Sequence, residues 1–255
     1  MSGRARAGLL GTAVAIGLIA GWQAADAVGL IDFDTLAPPS EFVAAWWRLL
    51  AEGPLLEETG HTLGVVAISW ILAVTIGVVV GAALGLSRQA AALGWGSVTF
   101  LRFIPPPALV PVVIIIFGFQ MVGEVTVATY AAVWPVLINT ASGVRQVDPR
   151  LHDVGRTIGL GSLSRAWKLV VPASMPMIAA GARIASSLAL VVVITAEMLG
   201  IPRGIGYEIV RSSGALRPDE TYAYVAWVGV LGVVLNVAIR RVEARLLRWQ
   251  TARVT

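Results

Sequence analysis

From Thr62 to Leu86 the chain carries no charged side chain. About 20 apolar residues in helical form cross a hydrocarbon core roughly 30 Å thick. In that medium no water reaches the backbone, so every N–H and C=O must be paired inside the segment, and an α-helix does this within one stretch of chain. Five more stretches read the same way: about residues 8–25, 103–119, 125–143, 172–199 and 221–239. Pro105, Pro106, Pro107 and Pro111 stand at the beginning of the third stretch along the chain, and the fifth carries Arg183 and Glu197. The expected fold is an all-α integral membrane protein with about six transmembrane helices in a single domain over residues 1–255, its core about 60–240. Composition agrees: 13% of residues are charged and 57% apolar, whereas soluble domains run near one quarter charged. Too few polar side chains exist to cover a water-facing surface.

The start of the chain, Arg4 and Arg6 followed by an apolar run from Gly8 to Ala25, has the layout of a signal peptide. Ala24-Ala25-Asp26 matches a cleavage site only in part and the run is long enough to span, so a retained first helix is expected. Basic residues set orientation. With the N-terminus in the cytoplasm, most of the 19 Lys and Arg fall in cytoplasmic segments, including Arg88, Arg145, Arg150, Arg156, Arg165, Lys168 and the Arg-rich tail. Only Arg48, Arg203, Arg211 and Arg217 fall outside; Arg102 and Arg183 lie at or in spans. Both termini are then cytoplasmic. In the outer stretch 26–60, Ser40 is the expected cap of a short interfacial helix on which Phe42, Trp46, Leu49 and Leu50 share a face beside Trp47. That helix either lies at headgroup depth or docks a partner protein.

The chemistry that is absent excludes several classes. There is no cysteine, and His61 and His152 lie far apart, so neither thiolate chemistry nor a His-based metal site is readable. A P-loop needs lysine directly after glycine; the single lysine, Lys168, follows Trp167. No nucleophile elbow or H-E-x-x-H motif is present. The net charge of +4 follows membrane topology and implies no nucleic acid. The chain is expected to be a non-enzyme with no metal or cofactor of its own.

The segment 148–172, DPRLHDVGRTIGLGSLSRAWKLVVP, is polar and basic yet organised. Asp148 can cap a helix that Pro149 starts. Leu151, Val154 and Ile158 make a narrow apolar stripe, and Gly159 can end the helix in the left-handed conformation. Ser162 can cap a second helix, Leu163 to Val171, which Pro172 separates from the next span. Either a solvated loop or a rigid plug for a groove on another protein fits these features.

The same spacing resembles the cytoplasmic loop of ABC importer permeases, E-A-A, three residues, Gly, nine residues, Ile-x-Leu-Pro. Asp153-Val154-Gly155 stands at E-A-A, with Asp for Glu and Val-Gly for Ala-Ala. Gly159 stands at the glycine, Leu169 and Val171 at the aliphatic positions, Pro172 at the proline. LAPPSEFVAAWWRLL, LRFIPPPALVPVVIIIFG and GARIASSLALVVVITAEMLG with GIGYEI are similar to permeases of the nitrate/sulfonate/taurine importer family. The resemblance implies a type I importer permease of the bacterial inner membrane. It would pair with a second copy of itself and dock through Asp153, Val154, Gly155, Ile158, Gly159, Leu169 and Pro172 onto ATPase subunits, which bind ATP and Mg. An extracytoplasmic solute-binding protein would deliver a small anion such as a sulfonate, taurine or nitrate; related systems import vitamin precursors or aromatic acids. A self-sufficient secondary transporter is the alternative class, though no convincing internal repeat is visible.

Buried charges and broken helix mark candidate pathway or gating positions. Arg183 and Glu197 sit in an otherwise apolar helix, where a charge costs at least about 2.5–3.5 kcal/mol and must face protein or water. They are about 21 Å apart along a helix axis, too far to pair. One or both line a pore or hold helices in two states, or else each makes a structural contact inside the bundle or at a dimer seam. Pro105, Pro107 and Pro111 withhold backbone donors, as a hinge or pore-lining segment or as the plain start of a helix. Gly77, Gly81 and Gly85 repeat at i+4, a small-residue packing face.

Overall fold

The computed structural model describes residues 3–30 and 36–247, which contain helices and no strand. The expected basic residues Arg248 and Arg253 lie outside the described residues, as do the side chains of Arg4, Arg6 and His152. In chain order the helices are α1 (Gly3–Ala27), α2 (Pro39–Glu52), α3 (Leu55–Leu86), α4 (Arg88–Arg102), α5 (Pro106–Phe117), α6 (Met121–Arg145), α7 (Pro149–Thr157), α8 (Ser162–Arg165), α9 (Val171–Ala173), α10 (Met175–Met198), α11 (Ile205–Gly214) and α12 (Pro218–Leu246). Among them α3, α6, α10 and α12 are long and apolar enough to cross a membrane.

The third expected span is different. Instead of one helix over 103–119, α4 and α5 meet at a bend of 88°. Phe103 closes α4, Pro105 precedes α5 with extended backbone, and Pro106 and Pro107 form its first turn. At the first turn a missing N–H costs nothing, while the residue before a proline is pushed out of the helical region. The proline run therefore starts a new helix and breaks the chain's direction. α5 is too short to span alone, and among the described residues the bent pair counts as at most one further crossing.

Contacts group the chain into two units, residues 1–58 with 208–229, and 59–207 with 230–255. In the first, Trp22 of α1 meets Phe42 of α2 and Tyr222 of α12, each at 5.8 Å between ring centres, and Trp46 packs at a tilt of 48° against Trp227 at 5.5 Å. Arg48 pairs with Asp219 at 2.9 Å. α2 starts one residue before the expected cap: Pro39 is its first residue, Pro38 stands at the cap, and the Ser40 N–H donates to Gln23 instead. Proline's fixed φ displaced the serine. Trp47 is exposed, while Leu49 is buried and Trp46 half-buried.

In the second unit the core lies where α6 crosses α3 and α10. A Cβ on Gly77 would stand 2.6 Å from Val136, one on Gly81 2.5 Å from the Leu137 carbonyl, and one on Gly85 2.7 Å from Val144. The i+4 glycine stripe is thus the groove in which α6 lies. α10 approaches the other side through Gly181, beside the Pro135 carbonyl. Trp70 on α3 donates its indole N–H to the Ala182 carbonyl of α10 at 2.7 Å. Between helices in lipid, close backbone approach and such interhelical hydrogen bonds supply the attraction that water supplies elsewhere.

Candidate functional site

Two constellations stand at opposite ends of α6 and α10. The first is the segment joining them. Asp148 caps α7 by accepting from the Arg150 N–H at 2.9 Å, and Pro149 is the first helical residue. Gly159 adopts φ +73°, and the Leu160 N–H returns to the Gly155 carbonyl at 2.9 Å, closing α7 as its glycine foretold. Beyond Gly159 the chain departs from expectation. Gly161, not Ser162, occupies the cap position of α8, and Pro172 does not separate this stretch from the next span by a clean break. Residues Ala166–Val170 form a π turn in which the Val171 N–H reaches the Ala166 carbonyl. The wider ring carries the helix into α9 with Pro172 in its first turn, and Ser174 then leads into α10.

The faces of α7 are sharply divided. Gly155 is buried against α8 and the π turn: a Cβ there would stand 2.6 Å from Arg165 Cγ and 3.0 Å from Leu169 Cδ1. Val154 and Ile158 point the other way, 53% and 62% exposed, with Asp153 beside them in a long 3.8 Å pair with Arg156. The expected stripe is split, since Leu151 is half-buried and only Val154 and Ile158 are left to solvent. Leu163 and Trp167 add exposed apolar surface to the neighbouring stretch.

The second constellation gathers residues that are remote in sequence. Glu197, near the end of α10, is 1% exposed. Its carboxylate accepts from the Thr62 hydroxyl at 2.7 Å and the Gly206 N–H at 2.8 Å, and the Ile205 N–H donates to the same Thr62 oxygen at 3.1 Å. Gly204, at φ +88°, and Gly206 press their backbones against Glu197 with no room for a Cβ. The Gly-Ile-Gly-Tyr stretch is therefore a wrap around one carboxylate. Beside it, His61 Nε2 lies 3.2 Å from both oxygens of Glu124, which is also 1% exposed, and Arg203 stands within electrostatic reach of Glu124.

Ligand atoms of His61, Glu124 and Glu197 lie within 4.8 Å of one another, and these donor types suit a divalent cation. Within the chain Glu197 also meets Thr62 and Gly206, and Glu124 meets His61. Charges this deep in a helical bundle are retained only where partners compensate them. Here they tie the starts of α3 and α6 to the end of α10. Sequence reading singled out Glu197 alone; Thr62, His61 and Glu124 each stand near the end of an apolar run, a position that draws no attention until the ends are brought together.

The other candidates disperse. Arg183 pairs with Glu243 of α12 at 3.4 Å, a contact within the bundle. Pro105, Pro107 and Pro111 belong to the α4–α5 bend and to α5, whose Val110 and Val113 are buried while Val112, Ile115 and Ile116 are exposed.

Comparison with known proteins adds a family and a fold. Residues 63–250 match the family described as binding-protein-dependent transport system inner membrane component. The bicarbonate transport system permease protein CmpB of Synechococcus elongatus is 33% identical over 94% of this chain and 88% of its own. The nitrate import permease protein NrtB of the same organism is 30% identical over 89% and 83%. SsuC of Bacillus subtilis, named for transport of aliphatic sulfonates, is 28% identical over 92% and 85%. Among solved structures, a chain of the MetNI methionine ABC transporter in an inward-facing form superposes with TM-score 0.65, covering 75% of this chain and 95% of that one at 16% identity.

Proposed function

The chain belongs to the binding-protein-dependent transport system inner membrane components, and on that footing we propose that it passes a small inorganic or organic anion inward, moved by ATPase subunits that grip the exposed face of α7. It is a permease subunit of an ATP-binding cassette importer of the inner membrane; ATP is hydrolysed by a partner, and a binding protein brings the solute. The anion is inferred from relatives named for bicarbonate, nitrate and aliphatic sulfonates. Two copies pair to enclose the path, and α7 with both termini lies in the cytoplasm.

One observation carries the coupling role. α7 is capped at both ends and pinned through Gly155 to Arg165 and Leu169, yet its Val154–Ile158 stripe covers nothing within the described chain. A short rigid helix with one apolar side left open is a plug shaped for a groove. Asp153 and Gly159 place and terminate that plug. Leu169 and Pro172 lie in the continuous stretch that carries a push from α7 into α10. At the far end, Glu197 acts as the latch that α10 releases when it moves, the α4–α5 bend with Pro105, Pro107 and Pro111 supplies the pliant segment, and Arg183 anchors α10 to α12.

The test is reconstitution of the importer with Ile158→Glu and Val154→Glu. We expect the ATPase to co-purify poorly and solute-stimulated ATP hydrolysis to fall by at least about tenfold, with the permease's own melting unchanged because both side chains are exposed. Normal attachment and uptake in the double variant would overturn the assignment.

A further inference from the structure

We infer that the cavity between α3, α4 and the last turn of α6 is a binding site for the headgroup of an anionic phospholipid. The cavity measures 710 Å³, and none of its lining residues is acidic. Arg88 and Arg145 both line it. Arg145 is held in place: its guanidinium donates to the Leu84 carbonyl at 3.3 Å and lies 5.0 Å over the Trp95 ring. Trp95 also lines the cavity, and its buried indole N–H finds no acceptor among the described residues. Ser87 caps α4 at the same wall by accepting from the Ala90 N–H, so the positive end of a 15-residue helix adds to the two guanidinium groups.

Position selects the source of the anion. The cavity sits where α3 and α6, two membrane-crossing helices, end, which is headgroup depth. Basic pockets between helices at that depth suit anionic lipid headgroups. Leading up to it along α3, the apolar side chains Leu72, Ile76, Val79 and Leu86 are all exposed and follow helical spacing. Leu86 is itself part of the cavity wall. A lipid can place its phosphate between the arginines and lay an acyl chain along that stripe, whereas a soluble anion gains nothing from it. The inference needs only the spans, not the assignment of sides or of transported solute.

The test uses the assembled importer in nanodiscs of phosphatidylcholine with or without phosphatidylglycerol, followed by native mass spectrometry of the released complex. Phosphatidylglycerol should be retained over phosphatidylcholine by about thirtyfold, the equivalent of about 1 kcal/mol for each of two arginines near a headgroup. Arg88→Gln with Arg145→Gln should abolish that preference, and Arg88→Lys with Arg145→Lys should keep most of it. Because Arg145 also braces Leu84, the exposed single variant Arg88→Gln serves as the folding-neutral control and should lower retention about fivefold. Equal retention of the two lipids, or an unchanged preference in Arg88→Gln, would overturn the proposal. So would displacement of the bound lipid by soluble glycerol phosphate or propanesulfonate, which would make this a small-anion site.

Discussion

Glycines at 118 and 206 separate two costs that a sequence does not distinguish. Gly118 adopts φ +68° and ψ −162°, a conformation essentially confined to glycine, with open space around it, so Gly118→Ala should cost only backbone strain, about 1–3 kcal/mol. At Gly206 a Cβ collides with the Ile194 carbonyl and stands 2.8 Å from Glu197 Cβ, and neither backbone nor buried carboxylate can give way. Gly206→Ala should cost about 1–3 kcal/mol as overpacking and, if Glu197 is the latch proposed above, abolish uptake by dislodging it; Gly118→Ala should leave uptake intact. Detergent melting curves and vesicle uptake read the two separately. A second single-residue prediction concerns Glu208, in α11 outside the spans. Burial pushes its carboxyl above the ordinary range, against the pull of the Arg211 guanidinium at 2.6 Å and the Tyr224 hydroxyl. A carboxyl whose folded pKa is raised favours the folded state while protonated. That stabilisation is present below the ordinary carboxylate range and is lost as pH rises through the raised value. The melting temperature should therefore decline across that window in the wild type, and Glu208→Gln should flatten the decline. A melting temperature that climbs there in the wild type would refute the assignment.

At the level of helices and their joints, the same kind of substitution divides by what it strikes. Gly81→Ala drives a methyl against the Leu137 carbonyl of α6, a backbone atom within the helix crossing. It should destabilise the core by about 1–3 kcal/mol. Gly155→Ala meets side-chain atoms, Arg165 Cγ and Cδ and Leu169 Cδ1, rather than backbone, so it should cost less than Gly81→Ala. Gly155→Leu cannot be accommodated that way; it should pry α7 from the π turn and uncouple ATP hydrolysis from uptake while leaving the membrane core folded. Limited proteolysis of the 148–172 segment, beside a melting curve, distinguishes local from global damage. The local chemistry of that segment was legible because caps and turns are short-range: Asp148, Pro149 and Gly159 act on residues at most a few positions away. The π turn was not legible. Nothing in AWKLV forbids an ordinary α-turn, and the wider ring arises from joining α8 to Pro172 and α10. For the same reason the Glu197 cluster escaped, because Thr62, His61 and Glu124 reach it only through the crossing of α3, α6 and α10.

The whole molecule shows where apolar length is a sufficient guide and where it is not. α3, α6, α10 and α12 lie close to the runs that hydrophobicity marks, since each is long enough to span by itself. The run at 103–119 has the hydrophobicity of a span but not its geometry; prolines at 105–107 turn it into a 12-residue helix set at 88° to its neighbour. Sidedness comes from another quantity, the distribution of Arg and Lys, and can be tested apart from the fold. The chain has no cysteine, so a single introduced thiol reports its own location without background. Ser164 and Ser213 are both exposed, the first in α8 and the second in α11. If the basic segments face the cytoplasm, Ser213→Cys should react with a membrane-impermeant maleimide in intact cells, and Ser164→Cys only after the inner membrane is opened. The reverse pattern would put α7 on the side where no ATPase can reach it, and the coupling role of Asp153, Val154 and Ile158 would fall with it. Equal labelling of both sites in intact cells would contradict any single orientation. The contrast is sharp because α10 alone, 24 residues at about 1.5 Å each, carries the chain from one side to the other between the two positions.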